Sequence, residues 1–130
     1  MRDEQVRRYA RHILLPDVGG LGQTALLVAT AEVDVTDRAG LIAAAYLAAG
    51  GTGTVIARGA GESELTKLDA FNPDTTILRE PAADQEHRTV PVAIPDAPPW
   101  WIATAGDDTA LAFWRGGIAA VRWMAPIANR

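Results

Sequence analysis

The chain has 130 residues, a hydrophobic fraction of 48% and a charged fraction of 22%. These values are typical of a soluble globular domain that is long enough to bury a core. The net charge of -4 argues against a nucleic-acid-binding surface, because phosphate contacts need clustered Lys and Arg. The lack of cysteine excludes disulfides, cysteine zinc sites and thioester chemistry, and two histidines far apart in sequence argue against a metal site.

Export and membrane signals are not expected either. No apolar run of the kind that a secretory signal needs follows Met1. The apolar stretch from Leu41 to Ala49 is about half of the roughly 20 residues that cross a bilayer, so it predicts a buried helix. We therefore expect a cytoplasmic protein with neither nucleic-acid nor membrane partners.

The N-terminal segment has the pattern of a helix followed by a loop. Apolar residues recur at helical spacing over residues 3–15, which predicts one amphipathic helix ended by Pro16. The glycines of residues 17–23 predict a loop, and residues 24–29 a short helical turn. The first helix carries a basic cluster that is expected on its solvated face, namely Arg7, Arg8 and Arg11.

Strand and helix patterns then alternate along the chain. Strands are predicted at residues 31–36, 54–57 and 75–78, and helices at residues 39–49 and 63–71. This order predicts an α/β fold with a Rossmann-like, mostly parallel sheet flanked by helices and an N-terminal amphipathic helix. In the first strand Val33 and Val35 alternate with Glu32 and Asp34, which indicates one polar face and is unusual for the centre of a parallel sheet.

The C-terminal third is predicted to contain three short strands and one helix. Residues 80–88 are polar and predict a loop. The strand predicted after this loop contains Pro91, which indicates an edge strand. The four elements are an edge strand at residues 89–94, a strand at 100–104, a helix at 107–115 closed by a glycine pair, and a last strand at 118–123. We predict a single domain, 1–130, composed of an N-terminal helical segment, 1–29, and a reduced sheet, 30–130.

Several segments resemble the ThiF/MoeB/HesA family of ubiquitin-activating-type adenylyltransferases. RYARHILLPDVGGLGQTALL, residues 8–27, is similar to the opening signature of that family. AGLIAAAYLAAGGTGTV, residues 39–55, resembles its first Rossmann helix and the start of its second strand, and LDAFNPDTTI, residues 68–77, its LNPDV-x-I passage. WWIATAG, residues 100–106, with GGIAAVRW, residues 116–123, resembles its ATDN strand and the strand that follows. The resemblance implies a shortened, degenerate member.

The resemblance also identifies where ATP would lie. In the family a GxGGxG turn between the first strand and helix holds the phosphates, and residues 35–40 match that turn. Of its glycines only Gly40 remains, while Val35, Asp37 and Arg38 replace the others and Asp37 adds a negative charge. Arg38 and Gly40 are therefore candidates for a vestigial nucleotide site. The alternative for Gly40 is close packing of helix on strand.

Other parts implied by the resemblance are replaced as well. Arg58 and Gly59 stand where the family has the acidic residue that binds ribose, and Ala105 stands where it has the aspartate implicated in Mg²⁺ binding. Asp107 and Asp108 follow, but they also suit the first turn of a helix. Arg11 matches an arginine that reaches the partner's ATP site in dimeric relatives, the alternative being a structural ion pair. No catalytic residue and no metal ligand is assigned.

Two functions follow from the resemblance. The first is a non-catalytic binding or scaffold protein that needs no cofactor and forms a homodimer or binds a protein, such as a ubiquitin-like sulfur carrier or a related biosynthetic enzyme. The alternative is a minimal adenylyltransferase that uses ATP and Mg²⁺ to activate the C-terminus of such a carrier. A decayed fragment without a selected function is a third interpretation. Four tryptophans within the last 31 residues fit either a core or an interface.

Overall fold

The computed structural model describes residues 1–129 and shows a four-stranded, all-parallel sheet with the strand order β3-β2-β1-β4. The strands are β1 (Thr30–Asp34), β2 (Thr54–Arg58), β3 (Thr76–Leu78) and β4 (Thr89–Pro91). The helices are α1 (Asp3–Arg8), α2 (Ala10–Ile13), α3 (Gly19–Leu27), α4 (Arg38–Ala49), α5 (Glu62–Asp69), α6 (Pro99–Ala105) and α7 (Asp108–Ala128). The predicted Rossmann-like α/β class is confirmed, as is the β-α-β-α-β order from β1 to β3.

The hydrophobic core lies on one face of the sheet. Ala31 and Val33 of β1, with Val55 and Ala57 of β2, are fully buried there. They share one apolar cluster with side chains of α3, α4, α5 and α7. Because successive strand residues point to opposite faces, Glu32 lies on the face away from this cluster. The one-sided core explains why β1 alternates apolar and polar residues although it is a central parallel strand.

The opposite face of the sheet is mostly polar, although Ile56 of β2, in register with Glu32, is fully buried there. Four threonines share one register row across all four strands, namely Thr89, Thr30, Thr54 and Thr76. Further along, Arg58 bonds Glu32 through Nε at 2.9 Å and Glu80 through Nη1 at 3.0 Å. Glu80 belongs to the connection from β3 to β4, which lie at opposite edges, so this connection crosses the polar face.

The N-terminal predictions need two corrections. The single helix over residues 3–15 is wrong, because the chain bends at Tyr9 (φ -100°, ψ 16°), whose side chain is buried and hydrogen-bonded. The loop over residues 17–23 is wrong as well, because α3 begins at Gly19 and includes these glycines. A Cβ on Gly22 would lie 2.5 Å from the carbonyl oxygen of Ala128. The glycine therefore permits close packing of α3 on α7.

The two strands predicted near the C-terminus are wrong, since residues 100–104 and 118–123 lie in α6 and α7. Pro99 occupies the first turn of α6, which favours helix initiation, and Trp101 packs edge-on against Trp114 of α7. The glycine pair does not end the helix. A Cβ on Gly116 would lie 2.5 Å from the carbonyl oxygen of Ala39, so glycine there lets α7 approach α4 closely. The resemblance of these two segments to family strands is therefore not matched by their structure.

Helix α4 lies at the centre of the helical layer. Its predicted extent is confirmed to within one residue, but its predicted burial holds only for the inner face, where Ala43, Ala44 and Leu47 are inaccessible. On the outer face Tyr46 and Ala49 are exposed. Helix α7 packs beside α4. Arg38 in the first turn of α4 bonds Thr109 in the first turn of α7, and Gly50, the C-cap of α4, lies against Met124 near the end of α7, so the two helices run in the same direction.

Candidate functional site

The turn between β1 and α4 lies at the carboxyl end of the sheet, where the resemblance places the phosphates. Asp37 is the N-cap of α4, and its Oδ1 accepts a hydrogen bond from the backbone N–H of Ala39 at 3.2 Å. Its Oδ2 lies 3.3 Å from Nη1 of Arg115 in α7. A carboxylate of the chain itself therefore occupies the helix N-terminus that a phosphate would need.

Arg38 and Gly40 both lie in the first turn of α4. Arg38 is exposed, and its Nη1 donates to Oγ1 of Thr109 in α7 at 2.9 Å. Gly40 is buried, and a Cβ there would overlap the carbonyl oxygen of Asp34 and lie 2.9 Å from its carbonyl carbon. Gly40 thus has the packing role that was its alternative interpretation: it lets α4 start directly against the end of β1.

Asp34 and Arg58, two further charged residues at this end of the sheet, are engaged within the chain. Oδ1 of Asp34 accepts from the hydroxyl of Thr36 at 2.6 Å and from its backbone N–H at 2.9 Å, and these bonds lower the pKa of Asp34. The hydrogen bond from Arg58 to Glu32 raises the pKa of Arg58. Arg58 stands where the resemblance places the ribose-binding acid, and because a guanidinium only donates hydrogen bonds, this residue cannot accept one from a ribose hydroxyl.

Arg11 lies at the other end of the sheet. Its neighbour His12 contacts Oε1 of Gln23 through Nδ1 at 2.9 Å, and Nε2 of Gln23 donates to the carbonyl of Gly50, just after α4. The 12 residues of α4 span about 18 Å, so Arg11 is remote from Arg38 and Gly40 of the same chain. Arg11 is exposed, and the ion pairs formed among residues 1–129 do not include it.

A buried polar network, which the sequence did not reveal, joins the N-terminal helices to the segment before β3. The hydroxyl of Tyr9 donates to Oδ2 of Asp74 at 2.9 Å and accepts from Nδ2 of Asn72 at 2.7 Å. Asn72 also donates to the carbonyl of Ala48 at the end of α4. Arg8, expected on a solvated face, forms an ion pair with Asp74. The network therefore fixes α1 and α2 on the sheet.

The network shifts the pKa values of its acidic groups in opposite directions. Burial raises the pKa of Tyr9, opposed by the hydrogen bond from Asn72 and reinforced by the one to Asp74. Burial is the largest single influence on the pKa of Asp74 and by itself would raise it. The hydrogen bonds from Tyr9 and Arg8 and the positive charge of Arg8 act in the other direction, and together they lower the pKa. Asp74, with a side chain only 3% exposed, is therefore held as a carboxylate.

The signal for this network was present in two of the segments that carry the family resemblance. Tyr9 belongs to the first, and Asn72 and Asp74 to the third. Each was matched by residue type only, and nothing in the sequence indicated that residues 65 positions apart would bond. Their hydrogen bonds give these residues a structural role.

An apolar groove with a volume of about 730 Å³ runs between α4, α5 and α7. Its walls include Leu41, Ile42 and Ala45 of α4. Three aromatic side chains from different walls are about half exposed, namely Tyr46 (48%), Phe71 (55%) and Phe113 (50%). Such a concentration of exposed apolar surface is typical of a binding site. The groove was not predicted, because the pattern of α4 indicated a helix covered on every side.

The tryptophans divide evenly between core and surface. Trp101 and Trp123 are buried, and Nε1 of Trp123 donates to the carbonyl of Val90 at 3.0 Å. Trp100 is 64% exposed and Trp114 36% exposed. Core packing accounts for the first two residues, and the other two add to the exposed apolar surface of the C-terminal helices.

Over residues 1–129 no cluster of three or more His, Asp or Glu side chains is arranged to hold a metal ion. Asp107 is the N-cap of α7 and accepts from the N–H of Ala110 at 2.8 Å, while Asp108 opens the helix, as their alternative interpretation predicted. None of the helices over these residues is both long and apolar enough to span a bilayer.

The chain matches no protein-family model and no curated protein sequence.

Proposed function

We propose that this chain is a non-catalytic, protein-binding scaffold domain derived from the ThiF/MoeB/HesA adenylyltransferase fold. The observation that carries the proposal is the position of Asp37, whose carboxylate caps α4 and pairs with Arg115 where ATP phosphates would lie. Repulsion from this carboxylate opposes a triphosphate, and the neighbouring Arg38 is already engaged by Thr109.

The side chains that replace the glycines of the turn support the same proposal. A GxGGxG turn works because glycines let the backbone approach the phosphates, whereas here the turn holds Val35, which is buried, and two charged side chains. A recess of about 350 Å³ does lie beside the turn, but the carboxylates of Asp37 and Asp108 line it together with Arg38 and Arg115. Phosphates at this helix N-terminus would have to displace the cap and its ion pair to α7.

The apolar groove supports the binding role. It is lined mostly by aliphatic and aromatic side chains, with only Glu64 and Lys67 contributing charge among its lining residues. A catalytic site for acyl adenylation would need polar groups directed at the reacting atoms. A surface of this kind suits the apolar side chains of a protein partner, and a ubiquitin-like sulfur carrier or a related biosynthetic enzyme is the partner class that the fold resemblance favours.

The test is an ATP–pyrophosphate exchange assay with a ubiquitin-like sulfur carrier that ends in glycine. Adenylation forms a bond between the carrier carboxylate and the α-phosphate and releases pyrophosphate, so the reverse reaction moves labelled pyrophosphate into ATP. We expect no exchange above a protein-free blank at millimolar ATP and Mg²⁺. Exchange that needs the carrier and is lost in an Arg38→Ala variant would establish the adenylyltransferase alternative instead.

A further inference from the structure

The groove between α4, α5 and α7 is a recess and not a flat face. Its volume of about 730 Å³ lies within the range of about 300–1,000 Å³ that is usual for small-molecule sites. Side chains from three helices line it, and the half-exposed rings of Tyr46, Phe71 and Phe113 stand on different walls. The recess is therefore large enough to hold one small molecule or one acyl chain.

The walls of the groove offer few hydrogen-bonding side chains. Apart from Tyr46, Glu64 and Lys67, the lining side chains are those of alanine, leucine, isoleucine and phenylalanine. A polar molecule or an extended peptide in the groove would give up hydrogen bonds to water without gaining others, which is unfavourable. The ligand that fits is therefore apolar along its length, with its polar group at one end.

The sign of that polar group follows from the charges on α5. Glu64 is engaged at the start of the helix, where its Oε1 accepts from the backbone N–H of Gly61 at 3.2 Å. Lys67, the only lysine of the chain, is exposed and forms no ion pair within residues 1–129. Its aliphatic stem lines the groove while its ammonium group reaches solvent, so it is available to an anion.

We infer that the groove binds a free long-chain carboxylate, with the acyl chain among the aliphatic and aromatic walls and the carboxylate paired with Lys67. The inference goes beyond the proposed scaffold function, because a bound carboxylate covers the surface that the groove offers to a protein partner. The two ligands therefore compete, and the carboxylate controls whether the partner binds.

The first experiment is calorimetric titration of the full chain with dodecanoate. We expect one dodecanoate per chain with a Kd of about 100 µM or tighter, the strength with which a single myristoyl chain binds a bilayer. Each methylene buried in the groove should tighten binding by up to about fourfold, so octanoate should bind at least about tenfold more weakly. No saturable binding of dodecanoate, or equal affinity for octanoate, overturns the inference.

The pairing with Lys67 is tested by removing the charge and keeping the apolar stem. Lys67→Met should weaken dodecanoate binding by about twofold to fivefold, the effect of one exposed ion pair, whereas Lys67→Arg should bind it like wild type. Dodecyltrimethylammonium has the same chain and a positive head, so its affinity should stay the same or rise in Lys67→Met. If this variant binds dodecanoate as tightly as wild type, or loses affinity for both probes equally, the pairing is overturned.

The location is tested by filling the groove from an exposed position. Ala49 lines the groove and is exposed on α4, so Ala49→Trp should weaken dodecanoate binding at least about tenfold without entering the core. Ala83→Trp, at an exposed position in the connection before β4, is the matched control and should bind like wild type. Unchanged binding by Ala49→Trp overturns the location. Dodecanoate binding together with pyrophosphate exchange would contradict the proposed function alone, and the absence of both would contradict this inference alone.

Discussion

Replacing Gly40 with alanine is expected to lower the free energy of unfolding by about 3 kcal/mol, at the upper end of the usual effect of overpacking a core. The added methyl would overlap the carbonyl oxygen of Asp34, which belongs to the backbone of β1 and cannot rotate away. Helix α4 would have to move off the strand, and its buried residues would lose packing. The midpoint of denaturant unfolding, compared with that of wild type, measures the loss.

Two variants serve as controls for Gly40. A Cβ on Gly20, in the first turn of α3, meets only the end of Met1 at 3.8 Å, so Gly20→Ala should leave stability unchanged or raise it by up to about 1 kcal/mol. Glycine is an acceptable N-cap, so Asp37→Gly should lower the free energy of unfolding by only a few tenths of a kcal/mol through the loss of the cap. The loss of the half-exposed ion pair with Arg115 adds to this small effect. If Gly40→Ala unfolds like Gly20→Ala, packing does not explain this glycine, and a ligand near the turn becomes the better explanation.

Asp74→Asn is expected to lower the free energy of unfolding by about 1.5–3 kcal/mol at neutral pH, the range for hydrogen bonds to charged groups. The substitution keeps the shape of the side chain but removes the charge that Arg8 and Tyr9 both contact. Asp84→Asn, at an exposed position in the connection before β4, should change little. Denaturant midpoints of the three proteins give the comparison.

The effect of Asp74→Asn should depend on pH in a defined direction. Because the folded protein lowers the pKa of Asp74, the charge of this residue contributes stability above the ordinary carboxyl pKa of about 4. That contribution is lost as the pH falls through the folded pKa. The difference between wild type and variant should therefore be constant from about pH 5 to 8 and shrink below pH 4. A difference that does not change on acidification would show that the charge of Asp74 is not what stabilises the network.

The central fold was predictable from the sequence because its signals are local. The β-branched and alternating residues of β1 and β2 and the unbroken alanine-rich run of α4 each determine one element within about a dozen residues. The glycines of α3 and α7 gave the wrong prediction. They resemble helix breakers in sequence, yet Gly22 and Gly116 are needed where a second backbone approaches, and only the tertiary structure shows that approach.

The candidate site was predictable to a smaller extent. Asp37 was expected beside the presumed phosphate position, and its role as a helix cap follows from an aspartate placed just before an apolar helical run. The pairing of Asp37 with Arg115 and the network from Tyr9 to Asp74 depend on contacts between residues more than 60 positions apart. The groove was missed because the composition of α4 does not indicate which of its faces the neighbouring helices leave uncovered.

The most direct test of the central claim, that the carboxylate of Asp37 and the side chains that replace the glycines of the turn prevent nucleotide binding, is calorimetric titration of the full chain with ATP and Mg²⁺. We predict no saturable heat up to millimolar ATP, for wild type and for Arg38→Ala and Arg11→Ala variants alike. Saturable heat with wild type that disappears in Arg38→Ala, or in Arg11→Ala if a second copy completes the site, would contradict the account.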